Sequence, residues 1–278
     1  MYSSLKGRRY LVTGIVDQAS LALFVADELR RLGSDLVCAG LGPTPHHAGL
    51  SEKAQRYLES SFGSFRTTVE GTLGTDVPTF PLDVTIDASI DDFARALADR
   101  QLTLDGVLHS IAMDKTIRGG EVKPLIEVTR EEFLSCMDVS AYSLIALVRA
   151  LLAHEVLQRG SSVVALSYLG AERIVLHPYK NVGVAKAALE RMSRELAVEI
   201  GRSHGIRVNV VRFSPWSQSR AGGAIPGLEA AAAQCQAAAP LGNATPDALA
   251  SEVLHLLQPG LGITGEIRHV DGGYHVLG

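Results

Sequence analysis

The 278-residue chain carries no block of one charge: 26 lysines and arginines stand against 30 acids, a formal net charge of −4. Nucleic-acid partners ask for a basic face, so none is expected. Cysteine is scarce. Cys38, Cys136 and Cys235 are scattered and odd in number, which gives neither a disulfide framework nor a metal-binding spacing. They suit a reducing compartment, and the expected localisation is cytoplasmic. No signal peptide is read before the first strand, no apolar run is read as long enough to span a membrane, and no internal repeat is found. His46 and His47 are adjacent, but no nearby acid or thiol completes a metal set; a solvated loop is expected there and no metal is expected anywhere. Also missing is the glycine-rich G-x-G-x-x-G turn of many dinucleotide-binding units.

What is present fits an α/β protein. Hydrophobic residues make up 46% and charged residues 20%, as in ordinary globular chains. Residues 1–278 are read as a single dinucleotide-binding domain, with a substrate-covering lid at about 214–240. Arg9 to Gly14 reads as a strand ending in a glycine turn. Leu21 to Leu32 reads as a helix stopped by Gly33, and Asp35 to Ala39 as a second strand. The turn between them has the pattern Gly14-x5-Ser20-x-Ala22. A small hydroxyl residue at Ser20 suits capping of backbone N–H groups, leaving the helix dipole facing a pyrophosphate; an ordinary capped turn is the other reading. The second strand ends in Ala39-Gly40-Leu41-Gly42, with neither the acid that suits ribose hydroxyls nor the arginine that suits a 2′-phosphate.

Further strands are expected at Val77 to Leu82 (closed by Asp83), Asp105 to His109, Ser162 to Leu166, Ile206 to Val211 and Ile267 to Val270. Helices are expected at Ala88 to Arg100, Thr129 to about Gln158, Tyr179 to about Arg202, and from Thr245-Pro246-Asp247 to about Leu257. The Ala/Gly-rich piece 221–239 reads as a mobile lid. Alternation of strand and helix predicts a Rossmann-type doubly wound parallel sheet of about seven strands with helices on both faces. Ligands bind such sheets at the carboxyl ends of the strands. Gly14, Asp83, His109 to Ala112, Ser167 with Tyr168, and Ser214 with Pro215 all fall there.

The stretch from Ser167 to Lys186 gathers the most chemistry. Tyr179 and Lys186 are seven apart at the start of a helix, so both project from nearly one face, about 10 Å apart along the axis. A ribose fits such a gap. An ammonium beside a phenol favours phenolate and lowers the phenol pKa. A half-buried aromatic and a surface lysine are the plain alternative.

With those residues in view, the chain resembles the short-chain dehydrogenase/reductases, and more narrowly the enoyl-[acyl-carrier-protein] reductases (NADH) of bacterial fatty acid synthesis, almost end to end. The resemblance rests on Gly14-x5-Ser20-x-Ala22, His109-Ser110-Ile111, Ser140-Ala141-Tyr142-Ser143, and Leu166-Ser167-Tyr168-Leu169-Gly170-Ala171-Glu172-Arg173. Tyr179-x6-Lys186, Arg207-Val208-Asn209, Thr264-Gly265 and Val270-Asp271-Gly272-Gly273 complete it. It implies hydride transfer from NADH or NADPH, NADH being the favoured of the two, to the β-carbon of a trans-2-enoyl thioester. The carrier would be acyl carrier protein or coenzyme A. Tyr179 would stabilise the developing enolate oxygen, Lys186 would hold the nicotinamide ribose, and Tyr168 would be the second active-site tyrosine. Cofactor contacts would come from Gly14, Ser20, Leu21, Asp83, Val84, Ser110, Ile111, Ala112, Lys186 and Pro215. Substrate contacts would come from Ala112, Tyr168, Tyr179 and Trp216. A homotetramer is implied, with 129–158 and 180–203 as candidate interfaces.

The chain departs from that pattern in places. Tyr168 and Tyr179 are one residue further apart than usual, Ala112 and Ser214 replace glycines, and Gln218 stands about where a threonine bonds the pyrophosphate. These changes touch cofactor grip and the acyl pocket, which is consistent with a specialised acyl substrate. Two other functions stay open: ketone/alcohol interconversion through Ser167, Tyr179 and Lys186, and a non-catalytic dinucleotide-binding protein.

Overall fold

The computed structural model describes residues 3–118 and 120–277. The strands are β1 (Arg9–Thr13), β2 (Asp35–Gly40), β3 (Thr79–Pro81), β4 (Leu104–His109), β5 (Ile117–Arg118), β6 (Glu121–Val122), β7 (Leu157–Tyr168), β8 (Arg207–Phe213) and β9 (Ile267–Val270). The helices are α1 (Leu21–Arg31), α2 (Glu52–Leu73), α3 (Asp87–Asp99), α4 (Arg130–Met137), α5 (Ser143–Ala153), α6 (Lys180–His204), α7 (Arg220–Gly223), α8 (Leu228–Ala238) and α9 (Pro246–Leu257). Seven strands form one sheet in the order β3-β2-β1-β4-β7-β8-β9, and every pairing in it is parallel. The seven-stranded parallel expectation therefore holds. The hairpin of β5 with β6 is an addition the sequence pattern did not show.

Both faces of the sheet are covered, so the central strands are apolar throughout instead of alternating. Along β1, Leu11 joins the core beneath α3, α5 and α6, while Tyr10 and Val12 join the core beneath α1, α2 and α9. Strand order reverses between β1 and β4, which opens a crevice at their carboxyl ends.

The expected long helix at 129–158 is interrupted and shorter. A π-helical turn, Asp138–Tyr142, separates α4 from α5, and the chain turns at Glu155 (φ 55°) before entering β7. Gln158, Arg159 and Gly160 are exposed strand residues; with no apolar alternation they gave no strand signal. The wide turn is held by hydroxyls. Ser143 Oγ donates to Val139 O (2.7 Å), and Ser140 Oγ donates to Met113 O (3.1 Å) while accepting from Met113 N (2.9 Å). That ties the loop after β4 to the turn. The helical stretch Arg130–Ala153 is long and apolar enough to cross a membrane, contrary to the sequence reading, but 61% of its most apolar window is buried. It is a core-facing helix, packed on α6 and α3. The 221–239 piece is not irregular: it forms α7 and α8, joined by a turn with Gly227 at φ 74°.

Candidate active site

A cavity of about 600 Å³ lies over the carboxyl ends of β1, β2, β4, β7 and β8, roofed by α7 and the start of α8. Gly14, Ser20, Leu21, Asp83, Val84, Ser110, Ile111, Ala112, Tyr168, Tyr179, Lys186, Pro215 and Trp216 all border it. The fold brings these thirteen residues to one cavity, while His109 and Gln218, also singled out from the sequence, do not border it.

One end is built from close-packed backbone. Gly14 has φ 85°, and a Cβ there would stand 1.9 Å from Ser110 O, so β1 and β4 can approach only with glycine at this turn. Ser20 Oγ accepts from the N–H groups of Val16 (2.9 Å) and Asp17 (3.0 Å). It bonds no N–H of α1, so it closes the turn from behind and does not cap the helix as expected. Leu23 N donates to Ser20 O (2.9 Å), and Leu21 at the start of α1 borders the cavity. Asp83 borders the same end. Its Oδ1 accepts from Thr85 N (2.9 Å) and Thr85 Oγ1 (2.7 Å), and its Oδ2 accepts from His47 Nε2 (3.0 Å). His47 Nδ1 accepts from Thr44 N (3.0 Å), which leaves Nε2 carrying the proton. The solvated-loop reading of His46-His47 is therefore corrected. His47 is buried behind Asp83, and His46 pairs with Asp92 at 2.8 Å. Both acids lie too far along the chain for local reading.

The other end is built from ionisable side chains. Tyr179 is the residue before α6, and Lys180 follows with φ 20°, its ammonium donating to Val122 O (3.3 Å) and Lys123 O (3.1 Å). Gly170 lies under the Tyr179 ring, where a Cβ would stand 2.5 Å from Tyr179 Cδ1. The rings of Tyr168 and Tyr179 meet edge-on at 5.2 Å. Lys186 is 4% exposed and donates to Ile111 O (3.0 Å) and Leu166 O (2.9 Å). Burial pushes its ammonium down to about 8. Burial also raises the Tyr179 phenol well above its ordinary value, with the charges of Cys136 and Glu190 acting in the same direction. The sequence argument had Lys186 lowering this phenol; loss of water outweighs that. Tyr179 is thus a protonated donor at neutral pH. Burial raises Tyr168 likewise.

Ser167 borders the cavity, but its Oγ donates to Glu190 Oε1 at 2.6 Å. Glu190 is buried and accepts two hydrogen bonds from Arg212, at 2.8 and 2.6 Å. A buried carboxylate held by a guanidinium fork and a hydroxyl is well satisfied. Ser167 completes that network, an arrangement unlike a free serine aimed at a carbonyl.

The family model for Enoyl-(Acyl carrier protein) reductase matches residues 14–275. The chain is 34% identical to Enoyl-[acyl-carrier-protein] reductase [NADH] FabI of Aquifex aeolicus, over 99% of this chain and 93% of the relative. It is 32% identical to the Escherichia coli protein of the same description, over 98% and 95%. The chain belongs to the enoyl-(acyl carrier protein) reductase family. Its fold superposes on the crystal structure of the Aquifex aeolicus reductase with a TM-score of 0.82 at 33% identity, covering 99% of each chain. It also superposes on the Bacillus cereus reductase solved with NADP+ and an indole naphthyridinone, with a TM-score of 0.83 at 29% identity, covering 99% and 98%.

Several features of this family member were missed from the sequence. His177 is buried against both tyrosines; the extra residue between Tyr168 and Tyr179 was the available signal. Ile225 and Leu228 supply an apolar roof. Trp216 Nε1 donates to Ala19 O (2.8 Å) and Arg220 N to Asp17 Oδ2 (2.6 Å), fastening the 214–223 segment to the Gly14–Ser20 turn. Away from the cavity, His269, Asp271 and His275 hold metal-ligand atoms within 4.8 Å of one another. Their bonds are mutual: the imidazoles stack at 3.9 Å, Asp271 accepts from Gly273 N and His275 N at 3.1 Å, and the Arg212 guanidinium lies 3.3 Å from His269 Nε2.

Proposed function

We propose that the chain reduces the C2=C3 double bond of a trans-2-enoyl thioester with NADH, in acyl metabolism of the fatty-acid type. The observation that carries this reading is Tyr179: a phenol kept protonated by burial, beside Tyr168, at the end of the cavity where Lys186 sits. The cavity suits the dinucleotide. Gly14 and Ser110, packed too closely for any Cβ between them, both border one end, and of the three N–H donors of Lys186 two go to carbonyls while the third has no partner among the described residues. When bound, the nicotinamide would supply the hydride for the β-carbon, and the enolate so formed would take the balancing proton at C2 from the Tyr179 hydroxyl, which would regain one from solvent. Tyr179 donates a hydrogen bond to the thioester oxygen as negative charge develops there, an interaction stronger in the transition state than before it. Lys186 holds the ribose hydroxyls and places positive charge near that oxygen. Ile225, Leu228 and the rings of Tyr168 and Trp216 keep water from the reacting carbons. Gly14, Ser20, Leu21, Ser110, Ile111, Ala112 and Pro215 line the path of the dinucleotide, with Asp83 and Val84 at its adenine.

The end of β2 supports NADH over NADPH, since Ala39, Gly40 and Leu41 border the cavity there and offer no cation to a 2′-phosphate. The 214–240 segment serves as the lid of a single 278-residue domain. Acyl carrier protein is the favoured thioester carrier, and the cytoplasm, where the three free buried cysteines stay reduced, is the favoured location. Exposed Leu134 and Tyr142 along α4 to α5, and Val184 and Val198 on α6, give apolar surface for association into a homotetramer; light scattering tests the mass.

The test is NADH oxidation by purified protein with a trans-2-enoyl thioester and, in parallel, a 3-ketoacyl thioester. Oxidation with the enoyl compound alone is expected. Oxidation with the ketone alone would overturn the reading and return Ser167 to a catalytic role.

A further inference from the structure

His177 is 3% exposed, and neither of its ring nitrogens has a hydrogen-bond partner among the described residues. Its ring borders the cavity, 5.4 Å from the Tyr168 ring and 5.7 Å from the Tyr179 ring. The lid closes over it: a Cβ on Gly227 would stand 3.9 Å from His177 Cβ, and Leu228 follows on the cavity roof. Burial pushes the imidazole down to about 4, so at neutral pH it offers one N–H and one lone pair. Sealing such groups without partners costs stability, and an aliphatic side chain would fill the same wall without that cost. Tyr168 and Tyr179 present their rings to it, and no other side chain among the described residues hydrogen-bonds it. Both nitrogens are closed to solvent, but His177 borders the cavity, so a group entering there reaches the ring once the lid residues beside it shift.

We infer that His177 is a specificity-determining residue that hydrogen-bonds a hydroxyl on the acyl chain, a few bonds from the double bond. A hydroxyl both donates and accepts, so it matches either nitrogen, whereas a carbonyl matches only the protonated one. The position follows from contact with Tyr179, which sits at the reacting end. The remaining roof, Ile225 and Leu228, is apolar and suits the hydrocarbon around that group. A site built to bond a hydroxyl discriminates strongly against the analogue lacking it, because its own polar group is then left unpaired. The inference rests on the enoyl-thioester reading, and binding and turnover separate the two.

The experiment uses a pair of trans-2-enoyl thioesters of equal length, one plain and one hydroxylated at C4 or C5. Calorimetry gives their affinities for the protein with bound NAD+, and NADH oxidation gives turnover. The wild type is expected to bind the hydroxylated compound about tenfold or more tightly. His177→Phe keeps a ring but removes both nitrogens, and should bring the ratio of affinities close to one; His177→Gln should restore part of it. Equal binding of the two compounds by the wild type overturns the inference, even if no variant folds. So does a ratio that His177→Phe leaves in place, which would assign the partner of His177 to ordered water. Binding preference without turnover of either thioester would leave His177 as the hydroxyl reader and sink the enoyl-reduction reading instead.

Discussion

The two ends of the cavity are made of different materials. At the Gly14 end the wall is backbone: a left-handed glycine under a carbonyl, a turn closed by Ser20, and the start of α1. At the Tyr179 end the wall is side chain: two phenols, an ammonium, an imidazole and, behind Ser167, a buried carboxylate with its guanidinium. Backbone gives a fixed shape that fails by collision. Side chains give charge and protons that fail by loss of one atom. The difference teaches that substitutions at the two ends should break different things, the first affinity for cofactor and the second the chemical step.

Removing the Tyr179 hydroxyl is the sharpest break. Tyr179→Phe should lower kcat about 10²- to 10³-fold, the usual loss for one donor to a developing oxyanion, while fluorescence titration still shows NADH binding. Gly14→Ala is its counterpart. The added Cβ meets Ser110 O at 1.9 Å and sits at a positive φ, so NADH affinity should fall at least about tenfold, and strain of about 1–3 kcal/mol should lower the melting temperature. A Gly14→Ala protein with wild-type affinity would show that the backbone end does not hold the cofactor.

The Lys186 ammonium gives the next effect. With its pKa pushed down by burial to about 8, it is charged below that pH and loses charge above it. The value of kcat/KM should therefore fall as pH rises through about 8, and Lys186→Arg, which stays charged, should move the decline upward. A profile flat to pH 10 would contradict a role for that charge. Ser167→Ala should act mainly on folding. Loss of a hydrogen bond to the buried Glu190 should cost about 1.5–3 kcal/mol in denaturant titration, with a smaller fall in kcat than Tyr179→Phe. Equal falls would revive ketone chemistry. Smallest is His47→Ala, which removes one bond to Asp83 and should raise KM for NADH about threefold to tenfold, in line with one hydrogen bond of about 1 kcal/mol.

The same contrast explains what was legible in the sequence. Strand ends, the Tyr179-x6-Lys186 spacing and the Ser20 turn are local, so their placement followed from periodicity and short motifs. The doubly wound parallel sheet followed from alternation of strand and helix. Long-range partners did not show. Nothing near His47 announces Asp83, and nothing near Ser167 announces that its hydroxyl will be taken by Glu190, about three helical turns beyond Tyr179. The shift of the Tyr179 phenol was read with the wrong sign because neighbouring charge is visible in a sequence and exclusion of water is not. The break between α4 and α5 escaped because its cause is Ser140 gripping Met113, a contact across 27 positions.

The indole of Trp216 is fastened to Ala19 in the Gly14–Ser20 turn, with Phe24 edge-on at 6.1 Å, and it is the only tryptophan in the chain. Indole emission overlaps the absorption of a reduced nicotinamide. The protein therefore carries its own optical gauge at the joint between cleft and roof: energy transfer from this one ring will report the arrival of NADH, and a change in its polarisation will report the roof loosening, without any attached dye.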